Sequence, residues 1–338
     1  MTLHLLDCDP REGKSVRFDE LAEALYGKDF SSERGGEDYS DSLRLFVVQD
    51  GQGVVMARAA AMVNRNMRYL NTVPGLVSFF ESRDNSDAAG MILQGVEKYL
   101  INQGGVRYIL GPLNGSTWER YRVTLPFLGV HRFVMDNINP DYYHRLFESN
   151  GYGAVAHYIT SKIALTPRSF YRQERASELF SRRKITVDKL NPSYLQNDLQ
   201  AIFEISLDSF QNNFLYTPIA QDRFMKKYSG LFHQINPDFV LIARDAQSVP
   251  VGFVFAFENT LVRENKELVV KTLAIRRRQD TMGLGSLLVE TLHKKAYEAG
   301  YTTVYHALMH SDNISTKVAG HDASVCREYR LYGKELGV

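Results

Sequence analysis

Two kinds of segment alternate along this chain. Short apolar runs alternate with stretches whose apolar residues recur every three or four positions, and the alternation follows the same order twice. In the second half, 185–190 predicts a strand. Residues 197–213 predict a helix, because Leu199, Ile202, Phe203, Ile205, Ser206 and Phe210 fall largely on one face; 219–235 predict another. Strands follow at 238–244 and 251–257, joined by a short hairpin loop, and a further strand at 268–275. Leu284, Leu287, Leu288, Leu292 and Ala296 then form one helical stripe, which stops at Gly300. Strands at 302–310 and 325–331 close the half. The first half predicts strands at 3–7, 43–49, 55–62, 75–80 and 106–110. Its helices are expected at 16–26, at 88–102 (closed by Gly104) and within 140–152. A repeated order of this kind implies internal duplication.

With 338 residues the chain is long enough for two such units. Its 44% hydrophobic and 23% charged residues are ordinary for a globular protein. Forty basic and 39 acidic residues leave a formal net charge of +1, so no global field points to nucleic acid or to an anionic membrane surface. Cys8 and Cys326 have neither disulfide-framework nor metal spacing, which fits a reducing compartment and no metal site. No run of about 18 apolar residues is present, and the N-terminal residues lack the apolar stretch of a signal peptide. The expectation is a cytoplasmic protein, monomer or homodimer, without nucleic-acid or membrane partners.

The chemistry concentrates at 273–288. Leu273, Ala274 and Ile275 end a strand. Arg276, Arg277, Arg278, Gln279, Asp280, Thr281, Met282, Gly283, Leu284, Gly285 and Ser286 make a turn that opens a helix. A helix start of this kind presents unpaired backbone N–H groups and the positive end of a dipole, a setting for phosphate or pyrophosphate. Glycine at 283 and 285 lets a phosphate approach the backbone.

The stretch resembles motif A of the GNAT superfamily of acyl-CoA-dependent acyltransferases, where a Leu-x-Val strand precedes (Gln/Arg)-x-x-Gly-x-(Gly/Ala) and a helix. Asp280 stands at the Gln/Arg position, with Gln279 one residue early; the neighbouring arginines are available to offset its carboxylate. The resemblance covers 184–338, and the first half repeats the element order. It implies an α/β (α+β mixed sheet) protein of two tandem GNAT folds, each a mixed, mostly antiparallel sheet flanked by helices. The expected divisions are a degenerate domain at 1–166, a linker at 167–183 and a cofactor-binding domain at 184–338. Aligning the helix stops, Gly104 with Gly300, sets Asp87 opposite Gly283, so the first half is read as having kept its core and lost its cofactor site.

The resemblance further implies acetyl-CoA or another acyl-CoA as co-substrate, held by Leu273–Ile275, by Gln279–Ser286 and by Asn313. The pantetheine would pair with the edge of the fourth strand, in a splay between the fourth and fifth strands. The acceptor would be a small-molecule or peptide amine, attacking the thioester directly. The tyrosine often used as proton donor is absent: its place falls on Phe147 in the first half and near Thr316 in the second. On or after the fifth strand stand Tyr305, His306, His310 and Asn313, with His310 the first candidate and Tyr305 the second. Lys271 and Glu267 lie on the fourth strand, but no acid adjoins Leu273, so no clear base is visible. After the first half's fifth strand, Asn114, Trp118, Tyr121 and Arg122 form a polar-aromatic loop. It reads equally as an acceptor-recognition surface and as glue between halves. A non-catalytic acyl-CoA-binding or interaction protein and a FemX-like aminoacyl transferase remain alternatives.

Overall fold

The two expected runs of strands join into one sheet. The structure is a computed structural model that describes residues 2–8, 17–27, 42–126, 132–232, 234–312 and 323–337. The first half runs β1 (Leu3–Cys8), α1 (Glu20–Tyr26), β2 (Leu43–Asp50), β3 (Val55–Val63), β4 (Gly75–Ser82), α2 (Ser86–Asn102) and β5 (Tyr108–Gly111). The two-residue β6 (Val123–Thr124), α3 (Tyr143–Ser149) and the long β7 (Gly153–Ala164) follow. The second half runs α4 (Gln173–Arg182), β8 (Thr186–Lys189), α5 (Leu195–Phe210), α6 (Gln221–Phe232), β9 (Val240–Arg244), β10 (Pro250–Glu258), β11 (Glu267–Ile275), α7 (Leu284–Glu298), β12 (Thr303–His310) and β13 (Ser324–Glu335).

Among the described residues the strand order is β1-β2-β3-β4-β5-β13-β7-β12-β11-β10-β9-β8, with β6 beside β13. Among the described strands only β4–β5 and β11–β12 pair in parallel; the other pairs are antiparallel. The sheet is therefore mixed and mostly antiparallel, with helices on its faces, as expected from the sequence. Its centre is an exchange. β7, from the first half, pairs with β12 of the second, from Thr303↔Ala164 to His310↔Tyr158. β13, from the end of the chain, pairs with β5 of the first half, from Tyr332↔Gly111 to Glu335↔Tyr108. β7 and β13 pair with each other between these contacts.

Core packing follows the exchange. The stripe Ile92, Val96 and Leu100 of α2 packs with Val77 and Ile109 of its own half and with Tyr332 of β13. The stripe Leu284, Leu288 and Leu292 of α7 packs with Val254, Leu268 and Val304, and with Ile163 of β7. α5 and α6 cover Phe253, Phe255 and Val269 in another cluster. Each half thus buries apolar area on a strand borrowed from the other.

Three expectations change in detail. Residues 167–183, expected as a linker, form a short 3-10 turn and α4. Phe180 is buried in the α7 core, and the Arg172 main-chain and side-chain nitrogens both donate to the Glu290 carboxylate of α7, at 3.0 and 3.2 Å. The helix expected at 16–26 begins only at Glu20; Arg58 donates to the Phe18 carbonyl and to the Asp19 carboxylate, each at 3.0 Å, which pins the residues just ahead of the helix. β7 was not expected as a strand, although Ala156, Tyr158 and Thr160 alternate as buried positions along it. No helix among the described residues is long and apolar enough to cross a membrane.

The exchange predicts the behaviour of a fragment. Residues 184–338 alone lack β7, so β12 gains a naked edge and the α7 core loses Ile163 and Leu165. The fragment is expected to elute as an aggregate in size-exclusion chromatography where the full chain elutes as one folded species. A monodisperse fragment with native circular dichroism would show that the exchange is dispensable.

Candidate functional site

β11 and β12 pair only from Glu267↔Thr303 to Val270↔His306, and beyond that point they part. On its other side β11 stays paired to β10 as far as Ile275↔Gly252. The register slips there, because Val270 faces Ala256 and Thr272 faces Phe255, which leaves Lys271 as an extra residue in a bulge. β12 is irregular on its far side as well: its register against β7 shifts between His306 and Met309, and Leu308 has φ 60°. Thr272, Leu273, Ala274 and Ile275 therefore border an opening toward β12. Ala274 is buried and the other three are half-buried.

The turn after β11 leads to α7, whose N-cap is Gly283 in the left-handed conformation at φ 89°. No side chain caps this helix, so its first N–H groups are open to an anion. Leu284 is fully buried in the core, and its contribution to such a site is its main-chain N–H. A Cβ at Gly285 would lie 3.6 Å from Leu273 and 3.8 Å from Ile275, ordinary contacts. The fold itself therefore does not require glycine at 285. Asp280 is ion-paired to Arg278 at 2.7 Å, and Arg278 also reaches Asp245 at 2.8 Å. The carboxylate at the unexpected position is thus already compensated. Thr281 is buried and holds the turn by donating to the Arg276 carbonyl at 2.7 Å. Gln279 and Met282 are exposed, and Ser286 is half-buried.

The first half has the same parting of strands and fills it with its own chain. β4 and β5 pair at Gly75↔Ile109 and Leu76↔Leu110. Next, the Leu113 N–H donates to the Val77 carbonyl at 2.9 Å, and the Phe79 N–H donates to the Asn114 side-chain oxygen at 2.8 Å. The N-terminus of α2 is capped by Asn85, whose side chain accepts from the Ala88 N–H at 2.8 Å. Alignment by helix starts puts Asn85 opposite Gly283 and Asp87 opposite Gly285. This corrects the alignment by helix stops, because α2 is two residues longer than α7 (17 against 15).

A cavity of about 750 Å³ lies between the halves. The first-half loop contributes Asn114, Trp118, Tyr121 and Arg122; β11 contributes Lys271, Thr272 and Leu273; β12 contributes His306 to His310. The expected acceptor loop and the expected acyl site therefore face one space. Trp118 joins the two halves and also faces the cavity. Its indole N–H donates to the Thr217 carbonyl at 2.8 Å and its ring packs edge-on to Tyr216 and Phe224, while it also lines the cavity. Glu119 ties the same loop to α6 through Arg223 at 3.2 Å and Lys227 at 2.6 Å. Arg122 lies between the rings of Tyr121 and Tyr158, 3.8 and 4.0 Å from their centroids.

Of the two catalytic candidates, His310 lines the cavity and Tyr305 is not among its lining residues. His310 packs edge-on to Tyr158, and its Nδ1 accepts from the Asp312 N–H at 3.2 Å, which assigns the ring proton to Nε2. Burial lowers its pKa. The Tyr305 hydroxyl donates to Glu267 at 3.2 Å and its ring stacks on Phe133; burial and that carboxylate push its pKa up. Asn313 and Thr316 lie outside the described residues.

Two groups emerge that the sequence did not single out. Lys271 is half-buried on the cavity wall, and its ammonium is held at about 7 by loss of water and then by Arg122. Asp136 lines the same cavity, 3.0 Å from Arg327, with the Tyr329 hydroxyl donating to it at 2.9 Å; burial raises its pKa. Lys271 was visible as a strand residue, but its environment comes from Arg122, Asp136 and Lys227, all distant in sequence.

No protein-family model matches the sequence, and no curated protein matches it. Solved structures do. A GCN5-related N-acetyltransferase from Anabaena variabilis superposes with a TM-score of 0.58 at 10% identity, over 99% of this chain and 73% of that one. A tandem GNAT protein from the clavulanic acid biosynthesis pathway gives 0.51 at 12% identity, over 100% of this chain and 99% of that one. The GCN5-related glucosamine N-acetyltransferase region of a fungal multi-domain β-N-acetylglucosaminidase gives 0.56 at 13% identity; this chain is covered to 98% and spans 38% of that one. The chain has the GNAT fold, in the tandem arrangement.

Behind the cavity sits a buried pair. His293 Nδ1 donates to the Ser169 carbonyl at 3.2 Å, and its Nε2 accepts from His306 Nε2 at 3.1 Å. Burial lowers the His293 pKa to about 4 and the His306 pKa well below its ordinary 6.5. Both rings are neutral in the fold and take up protons once unfolded. Stability is full above pH 6.5 and is lost as pH falls from there toward 4. For His293 alone the loss is on the order of 3 kcal/mol. Urea unfolding between pH 7 and 4.5 checks this: His293→Gln is expected to flatten the acid limb.

Proposed function

We propose that this chain is an N-acyltransferase that moves an acyl group, acetyl in the first instance, from a CoA thioester to an amine by direct attack. One observation carries the reading. In the second half the strands part beside an uncapped helix N-terminus and open onto the inter-half cavity, whereas in the first half both features are filled by the chain itself. The N–H groups of Gly283 to Ser286 would take the pyrophosphate. Arg277, exposed and with no hydrogen bond or ion pair among the described residues, stands nearby as a further cation. The free edge of Thr272–Ile275 would take the pantetheine by main-chain pairing. A bound acyl-CoA then supplies the thioester carbonyl at the point where β11 and β12 separate.

The acceptor enters from the cavity. Trp118 and Tyr121 offer apolar faces to it, and Arg122, stacked between two tyrosines and in no ion pair among the described residues, suits an anionic group on it. Placement in the cavity between the two halves would limit access of water, which favours aminolysis over hydrolysis and fixes the amine near the thioester. The likeness to N-acetyltransferases is one of fold, so the support for acyl transfer comes from the open cradle, the splay and the cavity together.

Calorimetry with acetyl-CoA is expected to show one site per chain. Gly285→Val is the decisive variant, because its Cβ fits the fold and blocks the cradle: binding should be lost with the melting temperature nearly kept. Gly283 is a poorer probe, since any side chain at φ 89° is strained. Two sites, or tight binding to Gly285→Val, would contradict the assignment. A panel of amines assayed by CoA release then tests turnover. Arg122→Ala should raise the acceptor KM roughly ten- to a hundredfold and leave acetyl-CoA affinity alone. Binding without release for any amine would favour a non-catalytic acyl-CoA-binding protein.

A further inference from the structure

We propose that Lys271 is the general base of the acyl transfer, its uncharged amine accepting a proton from the acceptor ammonium where β11 and β12 part. The proposal rests on the acyl-transfer reading above. Three geometric facts carry it. Lys271 is the bulged residue of β11, one position past the last pair with β12, so the irregularity that opens the strands also re-aims this side chain. It lines the cavity shared with the acceptor loop. It makes no hydrogen bond or ion pair among the described residues, whereas the other cavity cations are engaged: Arg120 with Glu81 at 3.2 Å, Lys227 with Glu119 at 2.6 Å, Arg122 between two tyrosines.

The charges around it agree. From the first-half loop Arg122 faces it, from α6 Lys227, and from the loop before α3 Asp136, whose charge is shared with Arg327 of β13. From β12 the same cavity wall carries His306, a neutral ring already donating to His293. Burial and two cations outweigh one shared carboxylate, so a large fraction of Lys271 is neutral at pH 7. The other titratable groups are committed elsewhere: His310 Nδ1 accepts from a main-chain N–H, and the Tyr305 hydroxyl points to Glu267.

The step balances. The acceptor ammonium gives one proton to Lys271 Nζ. The freed nitrogen lone pair forms the N–C bond at the thioester carbonyl, and the C–S bond breaks with its electron pair on sulfur. The nitrogen's second proton goes to that thiolate, giving CoA thiol, and Lys271 releases its own proton to water.

Two measurements on the full chain test this. First, N-acetoxysuccinimide labelling from pH 5.5 to 10, read by peptide mass spectrometry, is expected to show Lys271 reacting with a midpoint about pH 7, while surface lysines follow a midpoint about 10.4. Second, with acetyl-CoA and the best amine of the panel, wild-type kcat/KM should rise to a plateau above about pH 7. Lys271→Arg and Lys271→Ala should each lower kcat roughly a hundredfold or more, with acetyl-CoA affinity kept and the pH inflection gone. Titration of Lys271 with the surface lysines would overturn the proposal. So would a Lys271→Arg enzyme of near-normal kcat, which would mark Lys271 as a cationic anchor, or stoichiometric dead-end acetylation of Lys271 by acetyl-CoA. A wild-type chain that binds no acetyl-CoA overturns the underlying reading instead, and does so before any variant is made.

Discussion

The exchange of β7 and β13 across the midline is the constraint on which the rest of the molecule depends. A GNAT-like half ends in a strand whose outer edge would expose unpaired N–H and C=O groups. Here each half gives that strand to the other, and the two exchanged strands pair along their length. Among the described residues the result is one continuous sheet that runs from β1 at one end to β8 at the other. The rigid centre fixes the distance between the loop after β5 and the opening beside β11. A cavity of defined shape between two separately folded domains would depend on a mobile linker; here it depends on main-chain hydrogen bonds.

That centre also explains the division of labour. Both halves inherit a place where parallel strands stop pairing and a helix starts nearby. In one, Leu113, Asn114 and Asn85 satisfy the exposed main-chain groups. In the other, the equivalent N-cap is a glycine and the strand edge stays open. The open edge is mostly half-buried and borders the cavity, so its main-chain groups are not closed off in the core. The filled half meanwhile turns its loop toward that opening.

Electrostatics in the cavity follows the same accounting. Glu81, Glu119 and Asp136 each hold a cation, which lets three carboxylates stay inside the wall. Lys271 is left over, and burial with Arg122 beside it lowers its pKa to about 7, so ammonium and free amine are comparably populated near neutrality. A lysine on a solvated strand carries its charge at every physiological pH; enclosure turns this one into a candidate proton acceptor.

The pattern of apolar residues by itself determined most elements, their repeated order, the motif at 273–286 and which half carries it. These are local properties: the stripes of α2 and α7 and the two glycines are legible within a dozen residues. β7 was missed because its alternation runs directly on from a glycine turn and the next segment reads as a linker. The exchange was invisible for a deeper reason, since strand pairing joins Tyr108 to Glu335 and nothing in either segment names the other. The bulge at Lys271, the plug formed by Asn114 and the lowered pKa of that lysine are likewise sums over residues far apart in sequence. Only the tertiary structure decided them, because burial and charge at a point depend on what the whole fold places around it.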